Sequence, residues 1–245
     1  MATDLPSVLV AIPAHDEELL IAACLTSVAE AIATAQRQGV ISGGAVAVCA
    51  HRCRDATADI ACELLAGQRV GWLVTEEAAP RTVGQVRNLA VAAAKARWGP
   101  DTPSWIFSTD ADSVVPSGWV ADLLAEAGAA QADLVLGLTE LSNWLAGETA
   151  QSAYAEILAA GMSDGGHEHA YAANLAIRRD VFEQVGGFGT SRHGEEHHLA
   201  AAVRAAGGHV LSVCEPRVLT SGRMPGRAAA GLGALLSLLA REAPS

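Results

Sequence analysis

Short apolar runs alternate with segments of helical periodicity along the first 115 residues, and this alternation constrains the fold more than any other feature. Val8 to Ile12 is a β-branched run closed by Pro13, followed by "HDEELLIAACLTSVAEAIATA", with acidic residues at the expected helix start and apolar residues at helical spacing. "AVAVCA" at 45 to 50 repeats the theme, with Asp55 and Thr57 opening a helix to about Leu65. "VGWLV" at 70 to 74 is a third run, Val83 to Arg97 a helix by propensity, and Ser104 to Thr109 a fourth strand. Strands alternating with helices imply a parallel sheet covered on both faces, whose strands are apolar throughout. Ligands of such sheets sit beyond the carboxyl ends of the strands. The loops His15 to Glu17, His51 to Asp55 and Asp110 to Asp112 are therefore expected to carry the chemistry.

The second half reads as a helix from Ser117 to Ala130, an extended run from Leu134 to Leu138, and a helix from Gln151 to Gly161. A flexible loop is expected over 163 to 169, "SDGGHEH", then a strand in "AYAANLAIRR" and a short helix ended by Gly186 and Gly187. "GEEHHLAAAVRAAGG" starts with acids and ends with glycines, as helices do. "HVLSVCEPRVL" is extended, and Arg227 to Arg241 is the expected final helix.

Composition excludes several classes. At 245 residues, 51% apolar and 18% charged, the chain is globular and of a size for one domain or two small ones, a single α/β domain being the economical reading. A net charge of −11 argues against a nucleic-acid surface, which needs basic patches. Lys95 is the only lysine, leaving almost no place for Schiff-base chemistry or a downstream phosphate-clamping lysine. Five cysteines without a CxxC pair fit a reduced, cytoplasmic setting. The opening residues lack a basic segment and are expected to form the first strand instead of a signal peptide. The apolar run at 228 to 240 falls short of the roughly 20 residues that cross a bilayer. That last helix has three places to go, the core, a homodimer, or peripherally a membrane surface, the first two being the default.

Asp110 and Asp112 follow an apolar strand in "WIFSTDADSVVPSGWV". Paired carboxylates in such a turn can hold a hard divalent cation, which neutralises a diphosphate. They also fit a helix N-cap cluster before Ser117, or the nucleophile and acid of a haloacid-dehalogenase-type phosphatase, although that motif normally follows the first strand and needs a lysine downstream. Glu195 and Glu196 in "GEEHHL" suit a general base, or ordinary helix N-terminal charge. The histidines of "HEH" at 167 to 169 and of "HGEEHH" lack the HExxH spacing and partner cysteines of a zinc site. Arg81 and Arg87 are candidates for phosphate oxygens or for a solvated helix face. No GxxxxGK[ST] occurs, and "GLG" at 231 to 233 is too isolated for a dinucleotide loop.

Taken in order, "VLVAIPAHDEELLIAACLTSV", "HRCRDATADIA", "GQVRNLAVAAA", the Asp110–Asp112 segment, "YAANLAIRRDVFEQVGGF" and "GEEHHLAAAVRAAGG" resemble family 2 inverting glycosyltransferases of the GT-A fold, over roughly residues 7 to 213. The resemblance implies an α/β, Rossmann-like three-layer sandwich with a mostly parallel central sheet. It implies one domain over 1 to 245: a nucleotide-binding half to 115, an acceptor-binding half over 116 to 220, and a C-terminal loop and helix. It also implies a UDP- or GDP-type nucleotide-sugar donor, Mg or Mn, and a small-molecule or lipid-linked acceptor hydroxyl. By position, Pro13, His15 and Glu17 fall in the nucleoside loop, Asp55 in the base-contacting loop, and Arg87 near the diphosphate. Asp110, Ala111 and Asp112 fall in the donor and metal turn, with Asp112 the direct ligand and Asp110 the ribose or metal-side acid. Glu196 takes the place of the base, Glu195 its alternative, and Ala173, Asn174 and Gly187 that of the sugar and acceptor wall. The chain departs from the pattern at Asp16, where Asn is common, in "HRCRD", and in an acid pair without aspartate. Some relatives ligate metal through a C-terminal histidine; none follows His209 here, and Ser221, Arg223 and Arg227 are offered to the diphosphate instead. A phosphatase using Asp110, or a nucleotide-binding protein of the same fold without catalysis, are the competing functions.

Overall fold

The computed structural model describes residues 5–79, 81–144, 146–163, 166–223 and 235–239. Its centre is β1 (Ser7–Ala14), in which Val8, Leu9, Val10, Ala11 and Ile12 are all 0% exposed. Successive side chains of a strand point to opposite faces, so one run feeds two cores. Val8, Val10 and Ile12 join the cluster under one helical layer, whereas Leu9 and Ala11 join the cluster under the other. This is why the strand reads as continuously apolar.

α1 (Ile21–Arg37), β2 (Gly43–His51), α2 (Thr57–Ala66), β3 (Gly71–Glu77), α3 (Val83–Trp98), β4 (Trp105–Ser108), β5 (Ser113–Val114) and α4 (Trp119–Ala130) follow in order. Then come β6 (Leu134–Ser142), α5 (Glu148–Ala160), β7 (Met162–Ser163), β8 (Gly166–His167), β9 (Leu175–Arg178), α6 (Arg179–Gln184), α7 (Glu195–Ala205) and β10 (Val210–Ser221). The main sheet has the order β3-β2-β1-β4-β9-β6-β10-β5. β3, β2, β1 and β4 are parallel, β9 runs antiparallel between β4 and β6, and β10 is parallel to β6. It is a mixed, mostly parallel sheet, as expected. Leu25 and Ile32 of α1, Leu65 of α2 and Trp119 of α4 cover one face. Val86 of α3, Phe182 of α6 and Leu199 of α7 cover the other.

Three expectations need correction. The acidic residues before α1 do not open it: the helix starts at Ile21 with no acid in its first turn, because Asp16 and Glu18 are committed to another loop. The segment over 163 to 169 contains pairing, Met162 with His167 and Ser163 with Gly166, although residues 164 and 165 lie outside the described set. "AYAANLAIRR" is strand only over Leu175–Arg178. Of the expected last helix, 235–239 is helical, with Leu236 buried; Arg227 and the rest of that helix lie outside the described residues. No helix among the described residues is long and apolar enough to cross a membrane.

Candidate active site

The loops after β1 and β2 are stapled to one another. Asp16 Oδ1 accepts from the Arg54 N–H (2.7 Å), Glu18 Oε2 from the Ala56 N–H (3.2 Å), and Thr57 Oγ1 from the Glu17 N–H (2.7 Å). Asp55 takes the N–H groups of Glu18 (3.1 Å) and Thr57 (3.0 Å). His15 donates from Nδ1 to the His51 carbonyl (2.7 Å). Carboxylates thereby accept the N–H groups that lead into α2 at Arg54, Ala56 and Thr57. Asp16, Cys53 and Asp55 bring metal-type ligand atoms within 4.8 Å of one another. The two carboxylates of that group are already hydrogen-bonded to backbone.

β4 ends at Ser108 beside β1, and the chain then turns through Asp110, Ala111 and Asp112 into β5. The thiol of Cys24 on α1 donates to the Asp110 carbonyl (3.2 Å), fixing the turn from one side. Arg87 fixes it from the other: Nε donates to Ser108 Oγ (2.9 Å) and Nη2 to Asp110 Oδ1 (2.5 Å). Arg87 is 1% exposed and lies under the Phe188 ring, which excludes the solvated-face alternative. Arg81 pairs with Glu77 instead, at 3.3 Å. Lys95 pairs with Glu183 at 3.1 Å, so the sole lysine is engaged away from the aspartates.

Arg87 also reaches the second acidic element. Its Nη1 is buried without a hydrogen bond, 3.8 Å from Glu195 Oε1. The approach depends on Gly84, one turn earlier on α3, where a Cβ would lie 2.2 Å from the Gly189 carbonyl and 2.9 Å from Glu195 Cβ. Burial pushes the Glu195 carboxyl up; Arg87 opposes the shift, while Glu196 and Asp110 add to it. Glu196 is less enclosed, with His197 Nδ1 3.4 Å from its carboxylate. The Tyr171 hydroxyl is pushed up by burial, pulled back by Tyr154 and pushed further by Glu196.

The end of β10 brings a second guanidinium to these acids. Ser113 Oγ donates to Thr220 Oγ1 (2.9 Å), which lies 3.5 Å from Asp112 Oδ1. Arg223 pairs with Glu17 through both terminal nitrogens, Nη1 to Oε2 at 2.6 Å and Nη2 to Oε1, and places Nη2 3.2 Å from Asp112 Oδ2. Four carboxylates, Glu17, Asp110, Asp112 and Glu195, thus share two guanidiniums. Burial first, then Asp110, push the Asp112 carboxyl up to about 7 despite Arg223. Hard oxygen donors short of positive charge fit a divalent cation such as Mg or Mn.

The structure brings together Glu17, Arg87, Asp110, Asp112 and Glu195; it keeps Asp55 and His15 in the neighbouring loop staple. Asn174 is 0% exposed, its amide bonded to Leu138 O, Pro216 O and the Trp119 indole, and so is a structural tie in the interior. Gly187 has φ +79° and leaves room for Asn88, which clamps both backbone groups of Phe188. Ser108, Thr220 and Gly84 carry no pattern that singles them out in the sequence; only their partners identify them.

The family model for glycosyl transferase family 2 matches residues 9–186. No curated protein matches. Among solved structures, the mannosyltransferase PcManGT from Pyrobaculum calidifontis, in complex with GDP-Man and Mn2+, superposes with a TM-score of 0.70 at 16% identity, over 92% of this chain and 59% of that one. S. aureus TarS 1-349 in complex with UDP-GlcNAc gives 0.65 at 12% identity, over 96% and 65%. At these identities the likeness is one of fold, and this chain spans about three fifths of the length of the mannosyltransferase.

Proposed function

The chain belongs to glycosyl transferase family 2, and from that premise we propose that it moves a sugar from a UDP- or GDP-type nucleotide-diphospho-sugar to an acceptor hydroxyl, with inversion at the anomeric carbon and with Mg or Mn. The observation that carries this reading is the gathering of Glu17, Asp110, Asp112 and Glu195 with Arg87 and Arg223 beyond the carboxyl ends of β1, β4 and β10. The fold neighbours bound to GDP-Man with Mn2+ and to UDP-GlcNAc support the donor class.

In this proposal the half to residue 115 binds the donor, with Pro13, His15, Glu17 and Asp55 lining the nucleoside side and Ala111 in the turn against it. Asp112, with Asp110, would hold the cation, which when bound supplies positive charge at the leaving diphosphate. Arg87 keeps the Asp110 carboxylate aimed through its 2.5 Å bond, and its Nη1 lies 3.8 Å from Glu195 Oε1. Glu196, on the open side of α7, takes the acceptor proton as the new bond forms. Glu195 is the alternative base; its carboxyl is the one pushed up by burial. The residues over 116 to 220 receive the acceptor.

A thermal-shift screen of UDP, GDP and their sugar conjugates, with and without Mn, tests the proposal. Stabilisation by one nucleotide series that needs Mn and disappears in Asp112→Ala is expected. Stabilisation by none of them contradicts it.

A further inference from the structure

Arg223 stands where the cation and the diphosphate would each need something from it. Its nitrogens engage Glu17 twice and approach Asp112 Oδ2 to 3.2 Å. Glu17 is only 6% exposed, so its charge needs a close partner. Arg223 Nε is buried without a hydrogen bond, so this arrangement leaves the guanidinium incompletely satisfied. The turn carrying Arg223 is pinned: a Cβ on Gly222 would lie 2.5 Å from Trp144 Cβ, and the Gly222 N–H is bonded to the Ser142 carbonyl. The long side chain can rearrange while the backbone at Gly222 stays in place. A cation on Asp112 and a guanidinium nitrogen on the same oxygen repel one another, whereas a guanidinium fork matches phosphate oxygens as well as carboxylate ones.

We propose that Arg223 is an exchangeable counter-charge, which neutralises Glu17 and Asp112 before ligands bind, yields Asp112 to the cation, and turns Nη2 and Nε onto the donor diphosphate while Nη1 stays on Glu17. This rests on the donor reading above. A cation arriving alone must displace Arg223 without offering it a new partner; a cation arriving with a nucleoside diphosphate offers one. Cation and nucleotide then bind with positive coupling, and Arg223 is its source.

The test is a titration of Mn2+ read as the free-ion EPR signal, with no nucleotide, with UDP and with GDP. In the unaltered chain one nucleotide is expected to tighten Mn2+ binding by about tenfold or more, within the usual range of coupling. Arg223→Gln is expected to tighten Mn2+ alone several-fold and to reduce the coupling. Arg223→Lys, which keeps the charge and loses the fork, covers the case in which the Gln variant does not fold; it is expected to keep the weak binding of Mn2+ alone and also to lose coupling. Coupling that persists undiminished in these variants, or Mn2+ binding that weakens in Arg223→Gln, overturns the role of Arg223 and leaves the donor reading intact. Absence of coupling to either nucleotide in the unaltered chain overturns both.

Discussion

Arg87 is a full positive charge on a side chain 1% exposed, and it survives there because Ser108, Asp110 and Glu195 surround it. Removing one member of a buried pair leaves an uncompensated charge. Arg87→Met is therefore expected to cost about 3 kcal/mol, the low end of such losses because Asp110 is partly open to water, as read by urea denaturation. Glu195 is the reverse case, a carboxyl that folding disfavours as an anion. Its raised pKa means that the cost of ionising it is absent below the ordinary carboxylate range and grows as pH rises through the folded value. Glu195→Gln is expected to melt at a higher temperature than the unaltered chain at neutral pH, with the difference closing toward pH ~4. Equal gaps at both pH values would contradict this.

Among the elements, the joint between the first two loops and that between α3 and α7 fix where the acids sit. Burial disfavours the Asp55 anion, but the Thr57 hydroxyl and the Glu18 and Thr57 N–H groups outweigh it, so its pKa is lowered. The stability it contributes is present above its ordinary pKa and is lost as pH falls through the lower folded value. Asp55→Ala is expected to cost about 1 to 2 kcal/mol at neutral pH and less in acid. Gly84→Ala forces α3 and α7 apart and is expected to cost about 1 to 3 kcal/mol, with greater loss of activity than of stability because the Arg87–Glu195 approach widens. The strands were legible because burial on both faces makes unbroken apolar runs, as in Val8 to Ile12. The start of α1 was not, because Asp16 and Glu18 resemble helix-opening acids while bonding to residues 38 positions away. The short β7–β8 pairing hides in a Gly-rich segment.

For the molecule as a whole, the sheet gathers acids from distant parts of the chain at one edge. Asp110 and Asp112 were legible by their place after an apolar strand, and Glu195 and Glu196 by their helix start. Their joining through Arg87, and the pairing of Arg223 with Glu17 across 206 residues, have no local signal; only packing reveals them. The proposal of sugar transfer is tested most directly by 31P NMR of the chain incubated with UDP- and GDP-sugars and Mn. With water standing in for the acceptor hydroxyl, release of UDP or GDP from one donor series, dependent on Mn and lost in Asp112→Ala, is predicted. Inorganic phosphate released from a generic phosphate ester in an Asp110-dependent manner, with every nucleotide sugar left intact, would contradict it.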